Sequence, residues 1–172
     1  MTDQVPDVIT YEDKDYHFSW GILPIYNKNI YMKYRSFAPP HTALRRGHFI
    51  KAKVISKRLY ITELTGYVGK YLGTQMKVNL SDVFGVTKAS IFAKWFNGEI
   101  ICKSDRPSFE DEKLLVLNFS NGKLHKEYYV TRNEARMMTK KITDEATKYN
   151  ELYAALTAEE VFFYNLLLFI IQ

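Results

Sequence analysis

The sequence predicts an α+β fold, mainly an antiparallel β-sheet built from hairpins and followed by a C-terminal helical hairpin. Three observations predict it. Two Asn-Gly pairs, at 97–98 and 121–122, are each flanked by strand-like sequence. Apolar and charged residues alternate through Ile50, Lys51, Ala52, Lys53 and Val54. Beyond Tyr129 the apolar period changes from two to near 3.6, the step from strand to helix.

Taken in order, residues 8–11 and 16–19, joined by Glu12-Asp13-Lys14-Asp15, form a first candidate hairpin. Tyr31 to Phe37 reads as a strand ahead of the irregular link Pro39-Pro40. His48 to Leu64 is the next hairpin, with Ser56-Lys57-Arg58 as its polar turn. Ile50, Ala52 and Val54 face the core, and Lys51 and Lys53 face water. Between Thr65 and Lys88, glycines 66, 69, 73 and 85 punctuate the chain, so this stretch reads as loop with a short helical turn. Ile91–Phe96 and Glu99–Cys102 flank Asn97-Gly98, while Leu114–Ser120 and Lys123–Val130 flank Asn121-Gly122. Asn and Gly tolerate the two positive φ angles of a type I′ turn, so each segment reads as a two-residue hairpin.

Thr131 with Glu134 has the spacing of a capping box, and Met138, Ile142, Tyr149, Leu152 and Leu156 follow at helical intervals. Thr157 with Glu160 repeats the spacing before a second helix running to Ile171. That helix is apolar around most of its circumference, so something must enclose it. Phe162, Phe163, Leu166, Phe169 and Ile170 are its candidate self-association residues, through which the chain would form a homodimer. The whole reads as one domain, 1–172, with a β-rich part over 1–130 and a two-helix part over 131–172.

At 172 residues, with 47% apolar and 25% charged, the chain is long enough to bury its own core without staples. Cys102 is the single cysteine, which excludes an internal disulfide and a cysteine-rich zinc site and suits a reducing, cytoplasmic setting. Acid stands near the N-terminus where a secretory leader carries Lys or Arg. The apolar run from Val161 to Ile171 covers about 16 Å as helix, half a bilayer core, so no membrane span is expected.

Charge is unevenly placed. Between Lys28 and Lys70 stand ten Lys or Arg residues and a single acid, Glu63. Such a segment attracts phosphate or an acidic partner. Arg45, Arg46, Lys51, Lys53, Lys57, Arg58 and Tyr60 are therefore the candidate binding residues. Catalytic signatures are weak by comparison. His17, His41, His48 and His125 are scattered, and Cys102 sits at an apolar strand position, as an inert core thiol does. Gly66-Tyr67-Val68-Gly69-Lys70 lacks the glycine spacing and the hydroxyl residue of a phosphate loop. Glu12-Asp13-Lys14, preceded by Asp7, and again Asp111-Glu112-Lys113, echo the carboxylate-lysine ends of metal-dependent nucleases, but both runs read more simply as polar turns between strands.

The stretch Thr42-Ala43-Leu44-Arg45-Arg46-Gly47-His48-Phe49-Ile50-Lys51-Ala52, with Leu59-Tyr60-Ile61 and Leu64, resembles a group of small uncharacterised bacterial β-rich proteins, as does Phe92-Ala93-Lys94-Trp95-Phe96-Asn97-Gly98-Glu99-Ile100. The shared features are an Arg-Gly strand start, a Leu-Tyr return strand and a Trp-Phe-x-Gly-Glu hairpin. The resemblance covers roughly residues 20–130. It implies a bacterial or mobile-element origin and carries over no particular activity. The expected function is that of a non-catalytic interaction or immunity-type protein. It would occlude an acidic protein partner, such as a toxin or a phage or host factor, through the basic aromatic hairpin face, with no cofactor and no metal. Single-stranded nucleic-acid binding on the same face is the alternative, since Lys and Arg release counterions and Tyr stacks on bases. A metal-dependent nuclease built on Asp7, Glu12 and Lys14 comes third.

Overall fold

The computed structural model describes residues 4–18, 37–69, 74–104 and 113–140. Two units divide the chain, Met1–Val130 and Thr131–Gln172. Among the described residues the first is one mixed sheet of nine strands: β1 Asp7–Tyr11, β2 Lys14–Phe18, β3 His48–Ile55, β4 Arg58–Gly69, β5 Gln75–Asn79, β6 Ile91–Phe92, β7 Gly98–Cys102, β8 Leu114–Ser120 and β9 Lys123–Val130. Their order along the sheet is β2-β1-β3-β4-β9-β8-β7, with β5 and β6 paired to β4. Its two ends then meet. His17 and Lys103 exchange backbone bonds of 2.7 and 2.8 Å, which joins β2 to the end of β7 and closes the sheet into a barrel. One apolar cluster fills the inside, including Ile9, Phe18, Ile50, Leu59, Ile61, Leu64, Leu117 and Phe119.

The expected hairpins fare differently. β3 and β4 pair through a turn in which Ser56 and Lys57 have φ of 49° and 60°, and β8 and β9 pair through Asn121-Gly122 at 48° and 70°. β1 and β2 pair through Glu12-Asp13 alone, with Tyr11 opposite Lys14, a tighter turn than the four-residue link read from the sequence. The Asn97-Gly98 hairpin does not exist. β6 pairs with β4 and β7 pairs with β8. Asn97 instead serves the other Asn-Gly turn, since its Oδ1 accepts the Asn121 N–H at 2.8 Å, and Gly122 N–H donates to Phe96 O at 2.8 Å. The residues after Phe92 wrap that turn so closely that a Cβ at Gly122 would lie 2.4 Å from Ala93 O.

The stretch 65–88 is more regular than expected. β4 runs on to Gly69, and β5 pairs with it from Thr65↔Asn79 to Gly69↔Gln75. The helical turn is α1, Leu80–Phe84. Asn79 and Asp82 form its reciprocal capping box, and Gly85 ends it at φ 65°. In the second unit, helix α2 covers 132–140. Glu134 N–H donates to Thr131 Oγ1 at 3.3 Å and Thr131 N–H to Glu134 Oε2 at 2.7 Å, the capping box read from the sequence. The second predicted helix, the five self-association residues and the strand at 31–36 lie outside the described residues. Among the described residues no helix is long and apolar enough to cross a membrane.

One pairing is parallel, β1 beside β3, with Val8↔Lys51, Ile9↔Ala52 and Thr10↔Lys53. Parallel neighbours need a long connection, which residues 19–47 provide. What anchors this pairing is Asp7, whose carboxylate is fully buried, accepts the Ile50 N–H at 2.9 Å and lies 2.6 Å from Arg46 Nη1. Arg46 also donates to Val5 O, while Gln4 and Val5 bond the backbone of residues 42–45. Desolvation pushes Asp7 up to about 6, against the pull of Arg46 and the Ile50 amide. Next to it His48 is pushed down to about 4 by burial and by the Arg46 charge. Its Nδ1 lies 3.0 Å from Arg46 O and its ring packs on Phe37.

These two groups drive stability in opposite directions. Asp7 holds protons more tightly folded than unfolded, so its contribution is complete below its ordinary value of 3.8 and is lost as pH rises through about 6. His48 holds them less tightly, so its contribution is complete above 6.5 and is lost as pH falls towards about 4. Relative to the parent protein, Asp7→Asn is therefore expected to gain stability as pH rises from 4 to 6, and His48→Asn to lose it. Each limb amounts to a few kcal/mol. Urea unfolding at closely spaced pH values checks the two slopes; parallel curves for all three proteins would refute the assignment. At constant pH, Asn97→Ala should cost about 1 kcal/mol. Gly122→Ala should cost roughly 2–4 kcal/mol, because it adds a positive-φ side chain against a backbone oxygen.

Candidate functional site

Residues opposed across an antiparallel ladder share a face of the sheet. Ala52↔Ile61 and Val54↔Leu59 face inward, so Lys51↔Glu63, Lys53↔Tyr60 and Ile55↔Arg58 face outward. A bulge between Lys51 and Ala52 inserts Thr62 and keeps both Ile61 and Leu64 inside. The outer row continues across β4, with Tyr60 opposite Phe92 of β6 and Arg58 opposite Lys123 of β9. The rings of Tyr60 and Phe92 lie 5.6 Å apart, and the Arg58 guanidinium stands 5.7 Å over Phe92. Lys57, exposed at the turn tip, adjoins them.

Of the seven binding residues read from the sequence, Lys51, Lys53, Lys57, Arg58 and Tyr60 are thus gathered on one face or at its edge. Lys51 is neutralised by Glu63 at 2.7 Å, and Lys53 has Asp13 at 4.0 Å. Arg45 and Arg46 do not belong with them. They precede β3, whose eight residues carry the chain about 23 Å to the turn. Arg46 is turned to the buried Asp7, and Arg45 is exposed beside the 3-10 turn Thr42–Leu44. Of these seven, Arg46 spends its charge on Asp7 and Val5 O, and Arg45 holds Gln4 through its backbone N–H.

Sequence reading missed Lys123. The Asn121-Gly122 hairpin is visible locally, but nothing local says that its second strand meets Arg58 sixty-five positions upstream. Further along the outer face of β9, Lys126 stands 5.0 Å over the Tyr128 ring. Tyr128 donates to Glu99 Oε1 at 2.6 Å and Asn118 Nδ2 to the same oxygen at 3.1 Å. Burial, then the Glu99 bond, pushes the Tyr128 hydroxyl up to about 12. This acid-centred cluster bounds the basic surface on that side.

The other candidate chemistries come apart in space. Asp7 and Glu12 lie at opposite ends of β1, about 16 Å apart by strand rise, and Asp7 is committed to Arg46. Among the described residues no group of three His, Cys, Asp or Glu side chains could hold a metal ion, and residues 111–112 lie outside them. Gly66 to Gly69 is regular strand, and the Phe37 ring occupies the space beside Gly66. On the inner face at the β1–β2 turn, the Tyr11 hydroxyl donates to Glu127, which with desolvation raises its pKa well above the usual tyrosine value.

No family model, curated protein or solved structure matches the chain. The resemblance seen at 42–52 and 92–100 therefore brings no family with it, and its Trp-Phe-x-Gly-Glu hairpin is the wrapped segment described above.

Cys102 is buried, and desolvation pushes its thiol up to about 12. Iodoacetamide at pH 8 is expected to label the native protein at least about a hundredfold more slowly than the urea-unfolded chain. Comparable rates would restore it as a reactive group.

Proposed function

We propose that the protein is a non-catalytic interaction module, immunity-type in its action, that occludes an acidic protein partner through the outer face of the β3–β4 hairpin. The observation that carries this reading is the register, which sets Lys53 opposite Tyr60, Tyr60 opposite Phe92, and Arg58 at the edge of the same row. Arginine and tyrosine are the side chains that most often anchor interfaces, since each combines apolar area with polar donors. Surrounding cations steer an acidic partner and raise its rate of encounter.

Single-stranded nucleic acid would use the same cations but would need open ring faces for stacking. Here Tyr60 and Phe92 pack on one another, and Arg58 covers Phe92. Those contacts favour a partner that reads charge and shape over one that reads bases.

The test is titration with a fluorescent hexaglutamate peptide and with an oligothymidylate of matched charge. Hexaglutamate is expected to bind at low salt and weaken as salt rises. The double variant Lys53→Glu/Lys57→Glu should lose about tenfold or more in affinity, and Tyr60→Ala severalfold. Tighter binding of the oligothymidylate, lost in the same variants, would replace this reading by the nucleic-acid one. Arg46 variants are unsuitable because they would strand the Asp7 charge.

A further inference from the structure

β4 and β9 are joined at a single register pair, and that pair sets two cations face to face. Leu59 N–H donates to Gly122 O at 2.8 Å and Leu124 N–H to Lys57 O at 2.7 Å. These bonds flank Arg58 and Lys123 and leave them as a non-hydrogen-bonded pair, the kind in which opposed side chains come closest, with Cα atoms about 4.5 Å apart. Like charges so opposed destabilise a sheet. On the adjoining strand β3 the cations have an acid within reach, Glu63 at Lys51 and Asp13 near Lys53. At this junction neither cation does. Among the described residues no carboxylate stands within 4.0 Å of Arg58 or Lys123, both are exposed, and Lys57 adds a third cation alongside.

We infer that Arg58 and Lys123 form a two-pronged oxyanion site, filled by a carboxylate of the acidic partner, whose occupancy tightens the junction between β4 and β9. The identity of the occupant rests on the docking function proposed above. Phe92 holds the guanidinium plane in place. A carboxylate between the two prongs gains charge-assisted bonds from both and removes their repulsion. Because the folded junction binds the anion and the unfolded chain does not offer it, binding also stabilises the fold.

The test compares the full chain with Lys123→Glu and Lys123→Gln, using hexaglutamate as probe. Without peptide, Lys123→Glu should melt several degrees higher than the parent, because a cross-strand ion pair replaces the repulsion. It should bind hexaglutamate about tenfold more weakly and show a smaller rise in melting temperature at the same peptide concentration. Lys123→Gln should fall between on all three readouts. Undiminished peptide binding in Lys123→Glu, while Lys53→Glu/Lys57→Glu loses it, overturns the oxyanion site and leaves the docking face standing. If the parent protein itself binds no hexaglutamate, the docking reading and the carboxylate occupant both fail. An oligothymidylate that outcompetes hexaglutamate at the parent protein, and not at Lys123→Glu, overturns the carboxylate in favour of phosphate.

Discussion

The pairing of buried Asp7 with partly exposed Arg46 is the constraint on which the barrel depends. A carboxylate removed from water costs several kcal/mol unless charge and hydrogen bonds compensate it. Here Arg46 and the Ile50 amide offset that cost in part, and desolvation still holds the Asp7 pKa above its ordinary value. The bond to Ile50 ties the first residue of β1 to β3, so the one parallel pairing is set at its origin. From there the antiparallel hairpin brings β2 round to His17, the residue that closes the sheet on Lys103. Arginine suits this place better than lysine, because its fork reaches Asp7 with one nitrogen and Val5 O with the other. The pair is thus a registration device, and its stabilising value lies mainly in the damage done by removing one half.

What could be read in the sequence was what local chemistry decides. Alternation through Ile50, Ala52 and Val54 placed the core face of β3, Asn121-Gly122 placed a turn, and Thr131 with Glu134 placed a helix start. Asn97-Gly98 has the same local chemistry as Asn121-Gly122 and a different fate, because Trp95 stacks on Phe84 and Phe96 packs against Phe119. Those contacts are made with residues distant in the chain, and they turn the dipeptide from a turn into a brace. Glu12-Asp13 and Ser56-Lys57 show the converse. Apart from Asp13, these residues do not favour positive φ, yet both pairs form two-residue turns because the strands on either side impose them.

The candidate site was legible in part for the same reason. A charge count along the chain treats Arg45, Arg46, Lys51 and Arg58 as equivalent, whereas the fold assigns each a different electrostatic environment. Arg46 goes to an internal acid and Lys51 to a cross-strand acid, while Arg58 lies over a ring that leaves its charge uncancelled, so it belongs to the surplus. That surplus is enlarged by Lys123, which a local reading places in a separate hairpin. A patch is thus a property of register, and it cannot be summed from a segment.

The position of the surplus has a physical logic. Barrels are most easily perturbed where few bonds join neighbouring strands, and the β4–β9 junction has one register pair flanked by two backbone bonds. Placing opposed cations there weakens a link that the rest of the fold can spare, since β8, the wrapped segment after Phe92 and the inner face of Leu124 all hold β9 in place by other contacts. The same charges set beside Asp7 would have attacked the anchor of β1 instead. Opposed cations at a one-pair seam, away from the Asp7–Arg46 anchor, would let the proposed anion site respond to a carboxylate without the fold depending on one.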